Sequence, residues 1–187
     1  RGADIHVVRD DGQNFRSLPW GRTPGEYAQG HQCWRGQSDW AITSTNTLLG
    51  NPERHEGWLI ESQPIPFWDH RGAEREGIRN RLCREMTGKH FSHFATDEGG
   101  DLLITDCLEN PDEFLNQKRA LPQDGIYLMH LGEAGKDAIR NARFLLSPRV
   151  SWRAGAHAHP FLSPDGKTAF FNSDESGVMQ AYLIKIC

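Results

Sequence analysis

The stretch SHFATDEGGDLLITD, Ser92–Asp106, contains the pattern from which the fold can be predicted. It has a histidine beside an aromatic residue, then a Gly-rich turn, a hydrophobic strand and a polar end. Two further segments follow the same plan, GHQCWRGQSDWAITS (Gly30–Ser44) and AHPFLSPDGKTAFFNSD (Ala158–Asp174). Because self-similarity at a fixed interval marks repeat architectures, the chain is predicted to repeat one β unit.

The leading histidines give the length of this unit. His31 and His93 are 62 residues apart, and His93 and His157 are 64 residues apart. A unit of about 60 residues with about four short strands is somewhat longer than a typical β-propeller blade. Each blade of a propeller presents its innermost strand to a central channel. Histidines at equivalent positions of successive blades are therefore expected to meet around one axis.

The apolar segments are short and are bounded by Gly, Pro, Asn or Asp, which is typical of strands separated by turns. The fold class is therefore predicted to be all-β. The predicted strands are Asp4–Val8, Trp40–Ser44, Trp58–Ile60, Phe91–Thr96, Leu102–Thr105, Ile126–Leu131, Arg143–Leu146, Phe161–Leu162, Ala169–Asn172 and Gln180–Ile184.

One segment predicts a helix instead. The range Ala73–Thr87 places Ile78, Leu82 and Met86 four residues apart, and Gly88 follows as a stop. This range would be a helical insertion within one repeat, which explains the length of the unit.

The chain of 187 residues supplies only about three such units, whereas closed propellers have typically four to eight blades. Three blades alone would leave sheet faces and edges uncovered. We therefore predict that residues 1–187 form the C-terminal part of a single larger β-propeller domain. The remaining blades would lie on the same or another polypeptide.

Composition excludes several classes of function. The 21 Lys and Arg residues are outnumbered by 25 Asp and Glu residues, giving a net charge of −4, so no nucleic-acid partner is expected. No apolar run approaches the roughly 18 residues that cross a bilayer, so no membrane partner is expected. GxSxG, P-loop and dinucleotide GxGxxG motifs are absent from the sequence.

The strongest chemical signal is the pair His157 and His159. Residues two apart on an extended strand point to the same side, so both imidazoles can face one point. His31 and His93 would approach from neighbouring blades, and Cys33 could add a thiolate. His with Cys favours zinc, whereas His with oxygen donors also admits manganese. The alternative is that these histidines hydrogen-bond to backbone carbonyls and fix the packing between blades.

Two acidic residues, Asp174 and Glu175, could bind calcium, although no EF-hand spacing surrounds them. The six tryptophans are numerous for the length, and one or two at the mouth of a cleft could stack on sugar rings.

Two stretches resemble a known family. HAHPFLSPDGKTAFFNSDESGVMQAYLIKI, His157–Ile186, resembles the last blade of the β-propeller polysaccharide lyases, which include the oligogalacturonate and ulvan lyases. DIHVVRDDGQNFRSLPWGRTPGEYAQGHQCW, Asp4–Trp34, is similar to their arrangement of strand, DG turn, strand and GH-x-x-W. The resemblance implies a seven-bladed propeller in the complete protein, an anionic polysaccharide substrate, and a secreted or periplasmic location.

The resemblance also implies a reaction, β-elimination at a uronic acid. A base removes the C5 proton, a metal or positive group neutralises the carboxylate, and the glycosidic oxygen leaves. His157 and His159 match the metal-binding HxH of the family, and His93 matches a third ligand. His31 falls where oligogalacturonate lyases have a catalytic histidine.

Two departures bear on the substrate. The oligogalacturonate lyase pattern has Arg where this chain has Asp4, and Gln where it has Ala154. Loss of that Arg would leave the substrate carboxylate unpaired. An ulvan-type lyase is therefore favoured, with a structural metal, with His31 and Cys33 as ligands and with the base in blades outside this chain, while oligogalacturonate or pectin stays possible.

A rival hypothesis is a non-catalytic, TolB-like propeller that binds a protein or a glycan. A basic, Trp-lined cleft would favour the lyase, whereas an uncharged funnel would favour the binding module.

Overall fold

The computed structural model describes residues 5–18, 26–47, 59–66, 80–81, 89–109, 125–136, 139–150 and 157–186. These residues form fourteen strands in four sheets, and every strand pairing is antiparallel. The all-β prediction is confirmed. Within the same ranges, no helix is long and apolar enough to span a bilayer.

The strands are numbered in chain order and grouped here by sheet. Sheet I contains β1 (His6–Val7), β2 (Arg16–Ser17) and β6 (Ile65–Pro66). Sheet II contains β3 (Glu26–Trp34), β4 (Ala41–Thr47), β5 (Leu59–Ser62) and β7 (Asn80–Arg81). Sheet III contains β8 (Lys89–Thr96), β9 (Leu102–Glu109), β10 (Gly125–Leu131) and β11 (Ile139–Leu146). Sheet IV contains β12 (Phe161–Leu162), β13 (Thr168–Ser173) and β14 (Gln180–Lys185).

Each of the ten predicted strands overlaps a strand of the structure. The sequence pattern missed β3, whose residues EYAQGHQCW show no regular alternation of apolar side chains. It also missed three strands of two residues each, β2, β6 and β7. The helix predicted over Ala73–Thr87 lies outside the described residues except at Asn80 and Arg81. At these two residues the prediction is wrong, because they pair with β5 as a strand.

Sheet III is buried on both faces, which explains the uninterrupted apolar runs in its central strands. Successive residues of a strand point to opposite faces, so Leu103 contributes to one core and Ile104 to another. Met129 and Leu128 divide in the same way on β10. All four side chains are at most 1% exposed. A strand with apolar side chains on both faces is stable only between two other layers.

The neighbouring sheets supply those layers. Ile42 and Leu59 of sheet II pack against one face of sheet III. Leu162, Ala169 and Phe171 of sheet IV pack against the other. On its own far side, sheet II presents Ala41 and Ile60 to Leu18, with Ile5 and Val7 of the sheet I segment beside them. The four sheets therefore pack in the order I, II, III, IV.

This packing brings together the first strands of three successive sheets. β8 contacts β3 of sheet II and also β12 of sheet IV. The three segments with the repeated sequence plan begin in or just before these strands. The histidines of the three segments are therefore expected to lie close together, where β8 contacts β3 and β12.

A buried ion pair ties sheet II to sheet III at the turn ends of the strands. Arg35 Nη1 lies 2.6 Å from Glu61 Oε2, and the two side chains are 5% and 0% exposed. Arg35 Nε also donates to the carbonyl of Gly100 at 3.1 Å, and Nη2 donates to the carbonyl of Gly132. The other Glu61 oxygen accepts the N–H of Gly135 at 2.6 Å. Both charges thus have several partners from the turns of sheet III.

The same turns approach too closely for a side chain at Gly36. A Cβ atom there would lie 2.5 Å from the carbonyl oxygen of Glu98, and the backbone has a φ of +56°. Glycine adopts this conformation without the steric cost that other residues incur. Its N–H donates to Thr96 Oγ1 at 2.8 Å, which holds the two hairpins together.

Replacing Glu61 by Gln is expected to destabilise the protein by about 3 kcal/mol or more, because Arg35 keeps its charge in a buried position without a counter-charge. Denaturant unfolding monitored by tryptophan fluorescence measures the loss. Glu133→Gln is the matched control, since Glu133 pairs with Lys136 in solvent, with side chains 59% and 68% exposed. Such exposed pairs contribute little. Equal unfolding midpoints for the two variants would contradict the proposed contribution of the buried pair.

Candidate metal centre

Two of the repeat histidines lie in β-bulges at equivalent places. In the pairing of β3 with β4, the register shifts between Ala28 and Gln32, around His31. In the pairing of β8 with β9, it shifts between Phe91 and Phe94, around His93. A bulge re-aims side chains, and bulges are enriched beside active sites.

A threonine on the partner strand holds each bulge in the same way. Thr43 Oγ1 donates to the carbonyl of His31 at 3.1 Å. Thr105 Oγ1 donates to the carbonyl of His93 at 3.0 Å. In both hairpins the threonine follows its histidine by twelve residues. The repeat seen in the sequence is thus also a repeat of backbone conformation and hydrogen bonding.

Three histidine rings surround that of His93. Its ring centroid lies 4.5 Å from that of His31, 5.3 Å from that of His157 and 3.6 Å from that of His159. One nitrogen from each of His93, His157 and His159 lies within 4.8 Å of the others, so these three residues could hold a metal ion. The fold thus brings together the histidines that the repeat spacing predicted to meet.

The HxH pair reaches this position by a route that the sequence did not predict. His157 and His159 precede β12 rather than lying in a strand, and His159 has a φ of +43°. The left-handed region is costly for a residue with a Cβ atom, and such strain concentrates at functional sites. The segment is held by the N–H of Asn172, which donates to the carbonyl of Ala158 at 2.7 Å. Both rings still face His93.

Asp106 is the acidic partner of the cluster, and its role was not predicted from the sequence. Its Oδ2 lies 2.7 Å from His93 Nδ1, and its Oδ1 accepts the backbone N–H of His93 at 2.7 Å. Asp106 is 1% exposed and His93 is 6% exposed. Metal-binding histidines commonly donate their second nitrogen to a carboxylate in this way. The available signal was the ITD end of the second repeat, where the first repeat has ITS.

The cluster is buried at one side and open at the other. His93 is buried, His157 is half-buried, and both His31 and His159 are exposed. Desolvation by the surrounding protein and then the nearby His93 ring lower the pKa of His31 and that of His159 below 6.5. A lowered pKa keeps both rings neutral at neutral pH, and the neutral ring is the form that binds a metal or accepts a proton.

Cys33 does not join the three-histidine group. Its side chain packs against the core between sheets II and III. Burial raises the pKa of its thiol to about 12, which opposes formation of the thiolate that metals bind. In the described residues, Asp174 and Glu175 likewise lie outside any group of three possible ligands. Asp4 and Ala154 lie outside the described ranges.

A cleft of about 400 Å³ opens near the turns that follow β3 and β8. Trp34, 46% exposed, lines it together with Leu162 and Pro164. Asp97 and Glu98 also line it, so this cleft contains a tryptophan but is acidic rather than basic.

Replacing His159 by Ala is expected to weaken Mn²⁺ or Zn²⁺ binding by more than about 100-fold, because loss of a direct ligand costs more than loss of an outer partner. Isothermal titration of the metal into metal-free protein measures the change. His130→Ala, at an exposed position of β10, is the control and should bind as the parent protein does. If the two variants bind the metal with equal affinity, His159 is not a ligand.

No protein-family model and no curated protein matches the chain. Among solved structures, the chain is similar to an oligogalacturonate lyase from Vibrio parahaemolyticus, with 18% identity and a TM-score of 0.62, over 98% of this chain and 42% of that one. It is also similar to an oligogalacturonate lyase in complex with manganese, with 18% identity and a TM-score of 0.60, over 97% of this chain and 41% of that one.

These similarities define the class of fold. The chain shares the propeller-like fold of oligogalacturonate lyases and spans about two fifths of their length. The sequence resemblance to this group is therefore supported at the level of fold, whereas no ulvan lyase is among the two structures compared.

Proposed function

We propose that the chain belongs to a metal-dependent lyase that cleaves uronate-containing oligosaccharides by β-elimination. The observation that carries this proposal is the group His93, His157 and His159, with its buried carboxylate partner Asp106. The shared fold with oligogalacturonate lyases supports it, and one of those proteins is in complex with manganese. Galacturonate oligomers are therefore the first substrates to test, ahead of the ulvan that the sequence analysis favoured.

The donor set of the cluster fits a divalent transition metal. Three imidazoles with open positions for oxygen donors can hold either zinc or manganese, so the donor set alone does not choose between them. Because a protein of the same fold is in complex with manganese, and because Cys33, whose thiol pKa is raised, is outside the group, we propose manganese rather than zinc. When bound, the cation would supply the positive charge that an ionised substrate carboxylate needs as its neighbouring C5 proton is lost.

His31 is the residue best placed to act as the base. Its ring is exposed on the open side of the cluster, and its lowered pKa keeps it neutral and able to accept a proton. In the proposed step its imidazole takes the C5 proton, the C4–O bond breaks, and a C4=C5 double bond forms. The leaving oxygen takes a proton from solvent.

We also propose that further sheets of a larger propeller complete the substrate groove. The face of sheet IV that points away from sheet III carries Phe161 and Leu183, which are 51% and 57% exposed. Phe161 stacks on Phe170 there, with ring centroids 4.9 Å apart. Sheets II and III each bury both faces, and an additional sheet would bury this face in the same way.

The expected activity is release of an unsaturated uronate from oligogalacturonate by the complete, Mn²⁺-loaded protein with its remaining sheets, measured by ultraviolet absorbance. His31→Ala should lower kcat by about 10²–10⁴-fold, the usual contribution of general base catalysis, with little change in metal affinity. His130→Ala serves again as the control. If His31→Ala lowers metal affinity as strongly as His159→Ala does, His31 is a ligand rather than the base. Absence of product from every uronate polymer, with metal bound, would exclude the lyase.

The Trp34 cleft favours a second candidate function, binding of a neutral saccharide. An exposed indole offers an apolar face to a pyranose ring, whereas the carboxylates of Asp97 and Glu98 disfavour a uronate.

Trp34→Ala should weaken binding of a neutral galacto-oligosaccharide by at least about tenfold, since aromatic anchors dominate such contacts. Isothermal titration is the measurement. The control is Phe161→Ala, an exposed aromatic residue on the outer face of sheet IV. If both variants still bind the saccharide, the cleft is not a saccharide site.

A further inference from the structure

The two bulged hairpins present the same backbone but differ at one neighbouring position. His31 and His93 each lie in a bulge, and each carbonyl accepts a threonine hydroxyl. The residue after the threonine is Ser44 in the first hairpin and Asp106 in the second. Ser44 and Asp106 lie opposite the bulges that contain the two histidines. The chain therefore contains one bulged histidine with a carboxylate opposite its bulge and one with a serine in that place.

Asp106 holds His93 at two points, through the backbone N–H and through Nδ1, both at 2.7 Å. An ionised carboxylate only accepts hydrogen bonds, so Nδ1 must carry the proton that it shares with Asp106. The serine hydroxyl in the other hairpin is a single oxygen and cannot supply this paired contact.

We propose that Asp106 is the positioning residue that makes His93 a metal ligand, by fixing the tautomer whose Nε2 is unprotonated and faces the cluster. This inference rests on the proposed metal site and goes beyond it, because it assigns different roles to two histidines with the same backbone frame. The carboxylate at position 106 selects His93 for the metal. Serine at position 44 offers His31 no carboxylate, and the His31 ring hydrogen-bonds instead to the backbone of Ser92.

Asp106→Asn tests the inference because the side chains are nearly equal in size. An amide can still accept the backbone N–H of His93 through its oxygen, but its NH₂ group then faces Nδ1. A donor at that place favours the proton on Nε2, which is the wrong tautomer, as in the asparagine variant of the serine-protease triad. Mn²⁺ affinity should fall by about 10–100-fold, the usual loss for an outer-shell partner.

The experiment measures two quantities on the full chain. The first is Mn²⁺ affinity, from competition with a chelator. The second is the tautomer of His93 in metal-free protein, from ¹⁵N chemical shifts of the imidazole nitrogens. If Asp106 had only a structural role, replacing it would not change this tautomer. Asp165→Asn is the control, since Asp165 is an exposed turn residue that hydrogen-bonds with Ser163 and Lys167.

The expected result is a proton on Nδ1 in the parent protein and on Nε2 in Asp106→Asn, with weakened metal binding only in the latter. Unchanged Mn²⁺ affinity in a folded Asp106→Asn variant would overturn the inference. So would a parent protein with its proton on His93 Nε2, which can be tested even if the variant does not fold. A parent protein that binds Mn²⁺ with the expected tautomer but cleaves no uronate would contradict the proposed function and leave the inference standing, whereas a parent protein that binds no Mn²⁺ would overturn both.

Discussion

The burial of sheet III between sheets II and IV is the constraint on which the rest of the structure depends. Its strands carry apolar side chains on both faces, as with Leu103 and Ile104, and each face must be covered to keep water out. Covering both faces places β8 between β3 and β12. The histidines at the start of the three repeats then converge, although no local interaction in the sequence connects them. The site is thus a consequence of how the sheets pack.

The two buried polar pairs, Arg35 with Glu61 and His93 with Asp106, have different roles. At the turn end, Arg35 and Glu61 are buried with partners from both sheets, and they fix how sheets II and III meet. Near the bulges, His93 and Asp106 are also buried, but the histidine ring faces an open cluster. A buried charge is tolerated in both places because it is paired and hydrogen-bonded. Only the second pair leaves a nitrogen available for a ligand.

Much of this arrangement could be predicted from the sequence. The features that could not be predicted have one physical cause in common. Apolar runs such as Leu102–Thr105 indicate strands because burial of both faces leaves a pattern in the chain. The repeat spacing indicates that His31, His93 and His157 should meet. The strand β3 was missed because its order comes from pairing with β4 rather than from its own side chains. The positive φ of His159 and the pairing of Arg35 with Glu61 depend on tertiary contacts that spacing does not record.

The divergence between the two bulged hairpins connects the fold to its proposed chemistry. A repeat supplies equivalent histidines, but a lyase needs unequal ones, since a ligand must keep one nitrogen unprotonated and directed while a base must exchange its proton with the substrate. The backbone frame, with its bulge and threonine, is common to both hairpins. In the proposed lyase, the neighbouring side chain, Asp106 in one hairpin and Ser44 in the other, would help to separate the two roles. In this proposal Asp106 would fix the orientation and tautomer of His93, whereas the exposed ring of His31, whose centroid is 4.5 Å away, has no carboxylate of this kind in its own hairpin.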